Sequence, residues 1–275
     1  METVRLVVVS DTHLSPRAPE ARRHWDAVVT ELGRHPPDLV VHAGDLTLDG
    51  ISHPDELDAA RADLDRLDVE WRAVAGNHDV GDWTASAGGH APPLSAVSQA
   101  RWRAAIGEGH WRVDVGAWTV LGLDAQLLGS GLDEEVEQWR WLGAALASAE
   151  AFVAVVLHKP LVGPPGELGA GTGHRFVPAP ARAELLALLA EVDTRVVVSG
   201  HVHQYRRLVH DGRLQLWAPT TWALIPDGTQ PVFGTKRAGI LDVRLAPDGG
   251  VTGAFAEVPG VAQLVLGRDL PVPYS

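Results

Sequence analysis

VVVSGHVHQY, residues Val196–Tyr205, carries an unbroken apolar run into a glycine and then into two histidines one residue apart. In extended backbone, positions i and i+2 point to the same side. His201 and His203 therefore present two imidazoles just past a buried strand, where they either hold a metal ion or decorate a loop. Four other apolar runs end in the same kind of residue. VRLVVV (Val4–Val9) leads to Asp11-Thr12-His13, DLVVHAGD to Gly44-Asp45, EWRAVAGNHD to Gly76-Asn77-His78-Asp79, and AFVAVVL to His158. In an open α/β sheet, ligands bind beyond the carboxyl ends of the strands. Five strand ends delivering Asp, Asn and His to one edge describe a site. They offer more ligands than one tetrahedral ion takes and match two ions sharing a carboxylate.

Between these strands the pattern is helical. PEARRHWDAVVTELGRH places Trp25, Val28, Val29 and Leu32 on one face, with Gly33 closing it, and HPDELDAARADLDRL starts at Pro54. LDEEVEQWRWLGAALASA and ARAELLALLAEV read as two more helices, and AWTVLGLDA as a further strand. Residues 82–93 read as an irregular insertion, and the Gly/Pro-rich stretch after His158 is long enough to be a functional loop. After His203 the pattern changes to hairpins turning at Asp211–Gly212 and Asp248–Gly249. We expect one domain over residues 1–275, with the hairpin region of about 204–275 completing a second sheet. GAGTGH lacks the strand-to-helix setting of a dinucleotide site, and FGTKR does not complete a P-loop.

Composition narrows the chemistry. The chain has 275 residues, 45% hydrophobic and 21% charged, and a net charge of −12, which argues against an extended nucleic-acid partner. It has no cysteine, so a metal must be held by His, Asp, Asn, Glu or water, which suits Mn, Fe, Zn, Co or Mg. The N-terminal apolar run is too short for a signal peptide, and no stretch approaches the ~20 apolar residues of a membrane span. The expectation is a cytoplasmic protein, with no membrane partner. The ten tryptophans and the hairpin region leave room for a homodimer.

The ordered set D-x-H, G-D, G-N-H-D, H and G-H-x-H resembles the calcineurin-like metallophosphoesterase superfamily, over about Val4 to His203. HAGDLTLDG and APTTWALIPDG look most like its class III cyclic nucleotide phosphodiesterase branch. The resemblance implies a four-layer α/β/β/α sandwich of two mixed sheets flanked by helices. It implies that Asp11, His13, Asp45 and His203 hold one metal and that Asp45, Asn77, His158 and His201 hold the other, the pair being Mn, Fe or Zn. A hydroxide between the metals would attack a small phosphodiester, and His78 would protonate the leaving alkoxide. The alternatives are a phosphomonoesterase or nucleotide pyrophosphatase with the same metals and, further off, a non-catalytic scaffold of the same fold. One stretch departs from the protein phosphatases of the superfamily. They carry G-D-x-x-D-R-G, whereas GDLTLDG lacks the arginine and places Asp49 one position later. The group that orients His78 is then Asp49, Asp79 or neither.

The remaining candidates have plainer readings. His42, inside a strand, reads as a core histidine. His174 and Arg175 read as exposed loop residues before substrate contacts. Thr221 and Trp222 could return a backbone group or a ring to the site, although core packing is the ordinary role of a tryptophan. Gly200 reads as the residue that lets the backbone turn tightly beside the histidines.

Overall fold

The computed structural model describes residues 2–82, 92–149, 152–163 and 173–272. Strand β1 (Val4–Val9) alternates its valines between two cores, because successive side chains face opposite sides of a sheet. Leu6 and Val8 point one way with Val41, while Val7 and Val9 point the other way with Val40. A continuous apolar run is thus what a strand covered on both faces requires.

Around β1 lie β2 (Leu39–His42) and β3 (Trp71–Ala73), both parallel, together with the hairpin β11 (Ile240–Leu245) and β12 (Val251–Ala256), in the order β12-β11-β1-β2-β3. The second sheet has the order β4-β5-β6-β7-β9-β8. It is built from β4 (Trp111–Val115), β5 (Trp118–Leu123), β6 (Phe152–Leu157), β7 (Thr194–Ser199), β8 (Arg206–His210) and β9 (Arg213–Trp217). A two-stranded piece pairs β10 (Ala223–Leu224) with β13 (Leu264–Val265).

Three apolar layers hold these sheets. Trp25, Val28 and Leu32 of α1 (Pro19–Arg34), Leu57 and Leu64 of α2 (Asp55–Leu64) and Trp102 of α4 (Ala96–Ala105) pack on the outer face of the first sheet. Val8, Val41, Val156 and Val198 fill the space between the sheets. Leu142 and Leu146 of α5 (Asp133–Ala147) and Leu185 and Leu189 of α6 (Ala179–Ala190) cover the second sheet. Each fully buried aliphatic side chain contributes about 1.5–3 kcal/mol. The result is the expected α/β/β/α sandwich.

Two expectations need correction. Residues 204–275 do not simply complete the second sheet. The hairpin β8–β9 does so, but β11–β12 pairs antiparallel to β1 in the first sheet, covering what would otherwise be its open edge. Nor, among the described residues, do the tryptophans make an exposed patch. Trp25, Trp102, Trp118, Trp217 and Trp222 are buried, and Trp71, Trp111, Trp139 and Trp141 are half-buried. Residues 83–91 of the insertion and 164–172 of the loop after His158 lie outside the described residues. Among the described residues, no helix is long and apolar enough to cross a membrane.

Candidate metal centre

The carboxyl ends of β1, β2, β3, β6 and β7 meet at one edge shared by both sheets. Backbone hydrogen bonds continue the pairing into the site loops: Asp11 N–H donates to Gly44 O (3.0 Å), His13 N–H to Asp45 O (3.1 Å) and Gly200 N–H to His158 O (2.9 Å). Beyond the strands the chain turns sharply. Asp11, His13, Asp45, His201 and His203 all adopt positive φ, between 49° and 68°. Left-handed backbone at a non-glycine residue costs about 1–2 kcal/mol. Among the described residues the only other such position is Asp211, in the β8–β9 turn. Strain is therefore concentrated on the predicted ligands, as at functional sites generally.

Three sets of donors converge. Asp11, His13 and His203 form one, Asp45, His158 and His201 a second, and His13, Asp45 and His78 a third, each with its atoms within 4.8 Å of one another. The sequence-predicted residues are thus brought together, and Asn77 joins them with its Oδ1 3.3 Å from His158 Nε2.

Hydrogen bonds outside each set fix which nitrogen faces inward. His203 Nδ1–H donates to Ala223 O (2.7 Å), so Nε2 turns its lone pair toward His13 Nε2 at 3.4 Å and Asp11 Oδ1 at 3.4 Å. His158 Nδ1–H donates to Ala43 O (2.7 Å), leaving Nε2 facing Asp45 Oδ2 at 3.3 Å. His201 Nε2–H donates to His174 O (3.3 Å), leaving Nδ1 facing His158 Nε2 at 3.1 Å. Second hydrogen bonds of this kind are what hold metal-ligating imidazoles in one tautomer. Acceptors then face acceptors, and Asp11 Oδ1 and His13 Nδ1 are buried with no hydrogen-bond partner. A buried polar group without a partner is costly, and a cation is the species that these lone pairs fit.

Protonation behaviour agrees. Burial holds His13 and His201 well below the usual histidine range, so both are neutral, the state a ligand needs. His158 is fully buried, yet the Asp45 carboxylate outweighs that burial and raises it to about 9. Asp45 in turn lies well below the carboxylate range, since the charges of His158 and His78 overcome its desolvation. In the metal-free chain His158 therefore carries a second proton, on the Nε2 that faces Asp45 Oδ2, and a cation bound there would displace it.

His78 sits at the rim, its side chain 19% exposed, edge-on to His13 with ring centroids 4.6 Å apart. Its backbone N–H donates to Asp45 Oδ1 (2.8 Å), and its Nδ1–H donates to the carbonyl of Leu48 (2.9 Å). The orienting group is thus a main-chain carbonyl, and neither of the two aspartates. Asp79 instead accepts from the N–H groups of Gly76, Leu46 and Thr47, tying the short helix α3 (Asn77–Val80) to the Asp45 loop. Asp49 accepts from Ser52 N–H.

His42 is a core histidine: Gly44 N–H donates to its Nδ1 (3.2 Å), and its Nε2–H reaches Thr12 Oγ1 (2.8 Å). Trp222 is buried against His13, with centroids 4.8 Å apart, so it supports a candidate ligand and offers no open face to a substrate. His174 and Arg175 are half-buried in a 3₁₀ turn (Gly173–Arg175). Gly200 does not require left-handed backbone. A Cβ there would overlap Ser10 Oγ and lie 3.0 Å from Asp11 Oδ2. Its smallness therefore serves close approach, and the tight turns fall on the histidines themselves.

Sequence reading missed one buried pair. Lys159, beside His158, is fully buried with Nζ 2.6 Å from Asp82 Oδ1, joining the end of β6 to the segment just past the short helix that carries Asn77 and His78. A lysine closing an apolar strand was the available signal.

The profile of the calcineurin-like phosphoesterase family matches residues 4–205. Among curated proteins no match is found. The fold is similar to that of purple acid phosphatase PPD1 from yellow lupin seeds (TM-score 0.65, 15% identity, 96% of this chain), of which this chain spans about half (53%). It is similar to GAP50, the anchor in the inner membrane complex of Plasmodium (TM-score 0.65, 14% identity, 98% of this chain and 92% of that one). It is also similar to a dimetal phosphatase from Danio rerio (TM-score 0.59, 15% identity, 93% and 99%). With five motifs in order, their side chains converging at one sheet edge, and the profile spanning most of its length, the chain belongs to the calcineurin-like phosphoesterase family.

Proposed function

We propose that this dimetal phosphoesterase hydrolyses a small phosphodiester, with cyclic nucleotides the first class to test, and that His78 protonates the leaving oxygen. Asp11, His13, Asp45 and His203 would hold one cation, and Asp45, Asn77, His158 and His201 the other. Two cations in these sets supply charge neutralisation at phosphorus and acidify water. The observation that carries the reading is the inward-facing donor set, in which the imidazoles of His158, His201 and His203 are each fixed by a hydrogen bond on the far side.

The residues of the chain do the rest. Asp45 places the backbone of His78, and Leu48 O holds the ring so that Nε2 faces the rim, 3.9 Å from Asp45 Oδ2. A rim imidazole in this position can hand a proton to a leaving oxygen. His78 also completes the third donor set with His13 and Asp45. In this reading those two serve the cation sites, and His78 is left for the leaving group.

GDLTLDG supports a diester. It brings Asp49 and no arginine to the place where protein phosphatases grip phosphate, and a diester carries one negative charge fewer than a monoester dianion. A small phosphoester is the partner this predicts. The test is turnover of bis(p-nitrophenyl) phosphate against p-nitrophenyl phosphate with Mn²⁺. Faster diester turnover is expected, and a monoester turned over far better refutes the preference. His78→Ala should keep two ions per chain and lose turnover. Loss of an ion would make His78 a ligand.

A further inference from the structure

We propose that four consecutive residues, Thr220–Ala223, together with the segment 262–270 that backs them, are positioning residues for one cation site only, that of Asp11, His13 and His203. The proposal rests on the two-cation reading.

Each residue of the strip meets that site separately. Thr220 Oγ1–H donates to Asp11 O (2.9 Å), and Thr221 N–H donates to Ser10 O (3.0 Å). Trp222 packs its ring on His13, and Ala223 O accepts the Nδ1–H of His203 (2.7 Å). All three ligands of one donor set are thus touched by one short run of chain. The other set is held differently: His158 by Ala43 O, and His201 by His174 O.

The strip is too short to be rigid alone, and it is braced from outside. Ala223–Leu224 pairs with Leu264–Val265, and Leu266 N–H donates to Leu224 O (3.0 Å). His24 of α1 donates through Nδ1 to Thr221 O (3.0 Å) and accepts from Ala262 N–H (3.1 Å), so one buried imidazole joins helix, strip and brace. Gln263 adds two hydrogen bonds to Ala238, whose neighbour Gly239 donates to Thr220 O. Leu266 and Leu270 pack on the cluster of Trp222, Ala18, Ala21 and Leu48. Leu48 is the residue whose carbonyl holds His78. All of the strip and brace lies beyond residue 205, where the family profile stops. Outer groups that orient metal ligands are worth about 10–100-fold in metal affinity, and here that effect falls on one site of two.

The experiment is calorimetric titration of the metal-free full chain with Mn²⁺, checked by metal counting. Leu266→Pro removes the N–H that holds Leu224 and touches no ligand. Trp222→Ala removes the ring from His13, and Trp222→Phe keeps an aromatic face there. Leu266→Pro and Trp222→Ala should each lose tenfold or more in affinity for one ion, with the other unchanged within twofold, and Trp222→Phe should retain both. Combining Leu266→Pro with Asn77→Ala should leave no tight ion, whereas each single variant keeps one. Leu270→Ala, a milder change, should weaken the same single site about threefold if Leu266→Pro fails to fold by circular dichroism. Parallel weakening of both sites, weakening of neither, or one tight ion surviving in the combined variant overturns the proposal. Fewer than two ions on the unaltered chain would overturn the two-cation reading, and the proposal with it.

Discussion

Gly200→Ala should damage the site through a single atom, the hydroxyl of Ser10. At Gly200 the backbone is not left-handed, so an added methyl meets only steric resistance, and the nearest atom is Ser10 Oγ. That hydroxyl is fully buried and donates to Asp11 Oδ2 at 2.6 Å. To make room it must swing away, losing a hydrogen bond to a charged group, about 1.5–3 kcal/mol. Overpacking adds roughly 1–3 kcal/mol. Gly200→Ala should therefore cost about 4 kcal/mol, and Ser10→Ala alone about 2 kcal/mol. In the Ser10→Ala background the clashing atom is gone, and the next neighbours, Asp11 Oδ2 at 3.0 Å and Ala43 O at 3.1 Å, need only small shifts. The double variant should then cost roughly 3–4 kcal/mol where additivity gives about 6, a coupling of about 2–3 kcal/mol. Urea denaturation of the metal-free chains measures all four corners. A Gly200→Ala cost that is the same in both backgrounds would refute the steric reasoning.

Lys159→Met should cost about 3–5 kcal/mol, because the buried Asp82 carboxylate loses the cation beside it. A loss below about 1 kcal/mol in the same urea assay would show that the pair is not desolvated. Asp124 is buried beyond β5, and burial raises it to about 6 despite the Gln99 amide at 2.7 Å. A carboxyl raised above its unfolded value binds its proton more tightly when folded. Metal-free stability should therefore fall as pH rises from about 4 to about 6, by on the order of 2–3 kcal/mol. Asp124→Asn should reduce that slope, leaving the share of Asp79, which burial also raises to about 6, and an unchanged slope would assign it to other groups. Gly76→Ala should loosen metal at Asp45, since its Cβ would overlap the Asp45 backbone N and Oδ1. Metal affinity equal to that of the unaltered chain would show that the loop yields freely.

The predicted ligands were legible because each follows an apolar run, and a strand covered on both faces advertises its own end. His201 and His203 illustrate the limit of spacing alone. They do not converge on one donor set as neighbours in a strand would, because positive φ at both residues sends His203 toward His13 and His201 toward His158. The orienter of His78 was not legible, since a carbonyl such as Leu48 O belongs to every residue and marks none. The same holds for Ala223 O and Ala43 O. Helix α4 escaped notice because Trp102 is its only buried apolar side chain, so its period is weak, although Ser95 and Ser98 form a capping pair. The division of the hairpin region between two sheets depends on which open edge each hairpin reaches, and alternation within a strand carries no record of that.

Counting metal on the purified full chain, reconstituted with Mn²⁺ and freed of excess ion, tests the dimetal centre most directly. Two ions per chain are expected, one on Asn77→Ala, and no tightly held pair on Asp45→Ala, since Asp45 lies between the donor sets. A single ion on the unaltered chain, or two retained by Asp45→Ala, would contradict it.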